Sequence, residues 1–122
     1  MFSEEERKTL RDILERHEIT LYTSKQDDEI VVEAEFYSDL GENFIATFFY
    51  DGTAKSFAEG AESYCNDFDP YEHASMYISM NPMERKRMMV PDSNEALMKD
   101  ALKIKKKLKR LSRELRNAFC KQ

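Results

Sequence analysis

Few side chains in this sequence suit nucleophilic, acid–base or metal chemistry, and their spacing does not assemble them. The two histidines, His17 and His73, and the two cysteines, Cys65 and Cys120, lie far apart, with no CxxC pair and none of the ligand spacings typical of zinc. A lone histidine beside Leu14 or Ala74 is by type a packing or capping residue. No GxSxG, HExxH, P-loop or GxGxxG pattern occurs, and three glycines are too few to build a loop that cradles phosphate. Asp67 and Asp69 stand at the end of a helical stretch, where carboxylates serve caps and turns more often than a catalytic dyad. The expectation is a protein that is not an enzyme and holds no metal and no cofactor.

Charge is the unusual feature. Residues 99–121 hold ten lysines and arginines against Asp100 and Glu114, a net of +8 in a chain whose net charge is −5, so the remainder carries −13. Leu97, Ala101, Ile104, Leu108, Leu111, Leu115 and Ala118 recur through this run at spacings of four and three, the seam of a long amphipathic helix of heptad type. Solvated basic residues beside an apolar seam, drawn to an acidic body, are one account of the pattern. The rival is a nucleic-acid-binding accessory surface made of Lys103, Lys106, Lys107, Arg110 and Arg113. It is the weaker of the two, because the charges surround the seam on several sides and Phe119 is the only aromatic in the helix on which a base could stack. The carboxylates, among them Glu4, Glu5, Glu6, Asp27, Asp28, Glu29, Glu33 and Glu35, are spread over helix starts, turns and one strand face. Such a distribution can imitate a phosphate backbone and occupy a basic groove, and it is also what keeps small proteins in solution.

The elements that must position these groups fit one domain of 122 residues. Ser3 and Glu6 form a capping-box pattern, so residues 4–17 read as a short helix whose narrow apolar face is Leu10, Ile13 and Leu14. Strands follow at ITLYTS (19–24), EIVVEAEFY (29–37) and NFIATFFY (43–50), separated by a polar turn at 25–28 and a loop at 38–42 in which Gly41 is free to take a positive φ. The third strand carries apolar bulk on both faces. Either it is central and covered on both sides, or Ile45 and Phe49 form a half-exposed patch beside Val31 and Tyr37, which makes Val31, Ile45 and Phe49 candidates for partner binding.

Thr53 is the expected N-cap of a helix over 54–67, which contains Gly60 at a cost of up to about 1 kcal/mol unless the helix must approach the sheet closely there. Asp69-Pro70 ends it. HASMYISM (73–80) alternates and reads as a fourth, short strand, with a helical turn as the alternative. NPMERKRMMV has no period and reads, with Pro91, as a mobile basic loop over 81–91; Asp92 and Glu95 then open the long helix, 92–121, as a second capping box. The predicted order is α-β-β-β-α-β-α, an α+β fold with an antiparallel sheet of three to four strands and helices mainly on one face.

Helix length sets a further expectation. Residues 94–120 span about 40 Å as a helix, whereas an eight-residue strand covers only about 26 Å. The end bearing Leu108, Leu111 and Leu115 should overhang the sheet and need a cover: the N-terminal helix, a different protein, or a second copy in a homodimer through the C-terminal helix. The homodimer is the expectation. No apolar run approaches the roughly 20 residues of a membrane span, and MFSEEERKTL is acidic where a signal peptide would be basic and then apolar. A cytoplasmic protein with two free thiols is expected, and no membrane partner.

Two segments carry a resemblance. GENFIATFFYDGTAKSFAEGAESYCNDFDPYEHASMYI and VPDSNEALMKDALKIKKKLKRLSREL, with DGTAKSF, FDPYEHASMYI and KDALKIKKKL as their most particular parts, resemble small proteins encoded in prophages and other mobile elements of Firmicutes. The likeness covers roughly residues 41–115. This chain departs from the pattern in having Tyr77 in place of a tryptophan and in its longer basic loop. The resemblance implies a bacterial cytoplasm during phage carriage or infection, and a protein that binds and occludes a host or defence protein such as a CRISPR effector. It assigns no residue a role.

Overall fold

A computed structural model describes residues 1–120; Lys121, which the sequence places in the last helix, lies outside them. The chain runs α1 (Glu4–Arg16), β1 (Thr20–Gln26), β2 (Glu29–Tyr37), β3 (Asn43–Tyr50), α2 (Ala54–Asp67), α3 (Pro70–Ile78), α4 (Pro82–Arg87) and α5 (Asn94–Phe119). It is an α+β fold in which the three strands form one antiparallel sheet in the order β1-β2-β3. The Ser3 capping box is present: the Ser3 amide donates to Glu6 Oε1 at 2.8 Å and the Glu6 amide donates to Ser3 Oγ at 3.1 Å. Thr53 caps α2 through the Ser56 amide at 3.2 Å. Gly41 takes φ 90° in the loop between β2 and β3, as a residue without Cβ can.

The period of two decides which face the helices cover. Val32, Ala34 and Phe36 of β2, with Phe44, Ala46 and Phe48 of β3, are buried, while the residues between them are exposed or half-buried. Phe57, Ala58, Ala61 and Cys65 of α2 and Ile104, Leu108, Leu111 and Leu115 of α5 join the inner-face residues in a single core. Gly60 lies where α2 presses on β3: a Cβ there would come within 2.7 Å of the Phe48 ring and 2.8 Å of the Phe49 carbonyl oxygen. The close approach that excuses a helical glycine is therefore real.

Three expectations need correction. The fourth strand is absent among the described residues: His73 to Ile78 belong to α3, with Ser79 as its C-cap and Met80 beyond it. Asp69-Pro70 does end α2, but it also begins the next helix: Asp69 is the N-cap, accepting from the Tyr71 amide at 2.9 Å, and Pro70 stands at the first helical position, where its missing N–H costs nothing. The segment 81–91 is not all loop, because Asn81 and Pro82 repeat that start signal and open α4. Arg85 then donates to the Pro91 carbonyl at 2.7 Å and ties the return to α5. The N-cap of α5 is Ser93, accepting from the Ala96 amide at 3.1 Å, one residue beyond the expected Asp92.

The overhang also fails to appear. Leu108, Leu111 and Leu115 are 4%, 7% and 1% exposed. The layer that covers α5 is wider than a single strand is long, because α1, α2 and α3 all pack against α5. Buried Leu10 and Ile13 bring α1 onto its C-terminal half, and α2 runs antiparallel beside it, with Arg116 paired to Glu62 at 2.7 Å. Ala74, fully buried, is the inner contact of α3. The leucine seam is intramolecular core, and the ground for a homodimer through it is gone.

Candidate functional site

The same alternation that buries one sheet face leaves the other uncovered. Val31 pairs with Phe49, Glu33 with Thr47 and Glu35 with Ile45 across β2 and β3, and Tyr22 of β1 stands opposite Glu33. Val31, Ile45 and Phe49, the candidates named from the sequence, are thus brought together on one surface, with β3 an edge strand and β2 central. Ile45 is 43% exposed, Phe49 52% and Tyr22 53%. Among the described residues of the strands, Glu29, Glu33 and Glu35 are the only charged ones on this face, so it is apolar and anionic at once. A bare face of that composition is suited to covering a surface that is itself apolar and cationic.

The basic residues of α5 divide into two groups. Lys99, Lys103, Lys106, Arg110 and Arg113, at offsets of four and three, form one stripe on the side opposite the buried seam. Lys105, Lys107, Lys109 and Arg116 lie off this stripe, so positive charge flanks the seam on other sides as well, as the sequence suggests. Lys103 reaches Asp39 at 2.9 Å in an exposed pair, which contributes little in water. Lys106, Arg110 and Arg113 are exposed and have no ion-pair partner among the described residues. Lys107 does not belong with them. Its ammonium lies 4.3 Å from the centre of the Phe36 ring, and burial lowers its pKa. Lys105 is also structural, donating to the Phe68 carbonyl at 2.8 Å and to that of Cys65, where the last turn of α2 leaves acceptors free.

A third feature escaped the sequence altogether. Where β3, the end of α2 and α3 meet, a cleft of about 500 Å³ opens beside Ile45. Its aromatic lining is continuous: His73 lies 5.5 Å from Phe44, 5.3 Å from Phe68 and 5.6 Å from Tyr77 between ring centres. His73 Nε2 also meets the Glu42 carboxylate, at 2.9 Å to Oε2. Burial, with the Glu42 carboxylate beside it, pushes the Tyr77 phenol up to about 12, and burial raises Tyr64 as well. Reading 73–80 as a strand put His73 and Tyr77 on one face for the wrong reason and concealed that both turn towards Glu42. The Asp-Pro cap was the signal that could have revealed them.

Cys65 and Cys120 are free thiols, and burial raises the pKa of Cys65 against the pull of Lys105 and Lys109. Among the described residues no three His, Cys, Asp or Glu side chains gather closely enough to hold a metal ion, and no helix is long and apolar enough to cross a membrane. No protein-family model matches the chain, and no curated protein or solved structure resembles it significantly.

Proposed function

We propose that the protein is a non-catalytic binding protein that occludes a basic surface of another protein with its open sheet face. One observation carries this: the outer face presents Tyr22, Ile45 and Phe49 to solvent with glutamates as its only charges. Such a face is costly to leave bare, and opposite charge both guides a partner to it and rejects acidic competitors. The resemblance to mobile-element proteins supplies the setting, in which the partner is a host or defence protein, a CRISPR effector included. The basic stripe supports a second reading, nucleic-acid binding through Lys103, Lys106, Arg110 and Arg113, since their alignment along about 15 Å suits a phosphate backbone.

One experiment separates the two. Tagged wild-type protein, a Glu33→Lys/Phe49→Lys variant and a Lys106→Glu/Arg110→Glu variant are used to capture partners from a Firmicute lysate treated with nuclease, and parallel gel shifts are run at low and high salt. The sheet-face function requires that the same protein be captured by wild type and by the stripe variant and lost with the face variant. Capture indifferent to the face variant refutes it. A salt-sensitive gel shift lost only in the stripe variant assigns the function to nucleic acid instead.

A further inference from the structure

The geometry points to the cleft between β3, α2 and α3 as a receptor for an arginine side chain of a protein partner. Two independent properties select that occupant. The floor is aromatic, with buried Phe44 and the half-buried rings of Phe68, His73 and Tyr77, and a planar guanidinium stacks on such rings more favourably than an ammonium or an alkyl chain does. The mouth is anionic, with Asp67, Asp69 and Glu72 exposed around it and no lysine or arginine in the lining.

Within that ring of carboxylates the roles differ. Glu42 is engaged by His73, and Asp69 is occupied in capping α3. Asp67 and Glu72 have no ion-pair partner among the described residues, which leaves them free to take a guanidinium edge in bidentate fashion. Lys105 of α5, at the end of α2, is held on the Cys65 and Phe68 carbonyls and does not line the cleft. A neutral apolar plug would strip water from these carboxylates without replacing it, so the cleft discriminates against one. About 500 Å³ is ample for a single side chain, and Ile45, which lines the cleft, also stands on the open sheet face. An arginine bound here therefore sits at the border of that face. The cleft does not need the sheet-face function to hold arginine, and the two fail separately.

The test is an NMR titration of the intact protein with N-acetyl-arginine methylamide and with its neutral isostere, N-acetyl-citrulline methylamide. Saturable shifts of the Tyr64, His73 and Tyr77 resonances are expected with the arginine probe, with a dissociation constant on the order of a few millimolar, as suits one side chain without the rest of an interface. The citrulline probe should bind at least about tenfold more weakly, and Asp67→Asn with Glu72→Gln should weaken the arginine probe by a similar factor. Both replaced residues are exposed, so amide resonances far from the cleft should not move. No saturable shift up to roughly 100 mM, equal binding of the two probes, or binding unchanged in the double variant would each overturn the assignment.

Discussion

Leu115→Ala distinguishes a core seam from an interface seam. Leu115 is 1% exposed and, with Phe57 and Val32, is among the largest side chains buried completely. Truncating a buried leucine costs about 2–5 kcal/mol, the spread reflecting how far the surroundings collapse into the space. Here collapse is limited, because Leu115 belongs to one close-packed core with residues of α1, α2 and the sheet, which relax only partly into a void. A value of about 3 kcal/mol is a large share of the roughly 5–15 kcal/mol that hold a domain together. For a chain of this length each kcal/mol moves the melting temperature by about 3–5 °C, so the expected loss is about 10–15 °C.

Circular dichroism gives the melting curve, and sedimentation velocity on the same samples gives the mass, to be compared with 14.4 kDa for one chain. Leu102→Ala is the control: that residue is 42% exposed on the outer side of α5, and its truncation should change stability by no more than about 0.5 kcal/mol. A Leu115→Ala protein that melts within about 2 °C of wild type while its mass falls from two chains to one would refute the intramolecular seam. It would mean that the leucines face a second copy after all.

Gly60→Ala should lower stability by about 1–2 kcal/mol although alanine is the better helix former, because the gain of about 1 kcal/mol in propensity is outweighed by forcing α2 away from the Phe49 carbonyl; an unchanged or raised melting temperature would refute this. Glu114 tests the α1–α5 contact. Burial of its carboxyl raises the pKa, but hydrogen bonds from His17 and Arg16 and their charges outweigh this and hold it below the usual value of 4.5. A carboxylate with a depressed folded pKa contributes stability above its unfolded pKa and loses it as pH falls through the folded one. Glu114→Gln should therefore cost about 1 kcal/mol at pH 7 and almost nothing at the acid end of the melting profile, whereas a cost independent of pH would refute the role of the charge.

What could be read from the sequence was whatever a few neighbouring residues decide. The Ser3 and Thr53 caps, the strand alternation and the turn at Gly41 are each settled within about four residues, and all of them are present. The seam of α5 was equally visible as a stripe, but nothing local says what covers a stripe. That depended on Leu10, Ile13 and the inner face of α2, contributed from up to about a hundred residues away. The segment from His73 to Met80 failed for another reason: apolar Ala74, Met76, Ile78 and Met80 alternate with Ser75, Tyr77 and Ser79 at a period of two, while buried Ala74 and half-buried His73, Tyr77 and Ile78 satisfy 3.6 equally well. Only the cap at Asp69-Pro70 decides between them. The cleft was beyond reach because Glu42, Phe44, Tyr64 and His73 come from a loop, β3, α2 and α3 and meet only in the finished fold.

The separation of charge follows from the two periods acting on one core. A period of two places Glu29, Glu33 and Glu35 on the sheet face away from the helices, and a period of 3.6 places Lys99, Lys106, Arg110 and Arg113 on the side of α5 away from the sheet. Since β2 and α5 bury their apolar sides in the same core, the two charged surfaces must lie on opposite sides of the molecule. Such a dipolar slab has a sense of direction in an electric field, so a partner bearing a basic patch meets the sheet face first and an anionic one meets α5. The same polarity permits a copy to present its sheet face to the stripe of the next. That contact joins unlike surfaces, so it repeats head to tail, as a ring or an open chain, and is not the self-complementary contact of a two-fold dimer. Between exposed charges it also fades with a screening length of about 8 Å at physiological salt. A partner whose basic surface also carries apolar side chains matched to Phe49, Ile45 and Tyr22 would bury more apolar area than the stripe, which offers only Leu102 among its charges, and that difference is what would let one sheet face choose a foreign surface over its own kind.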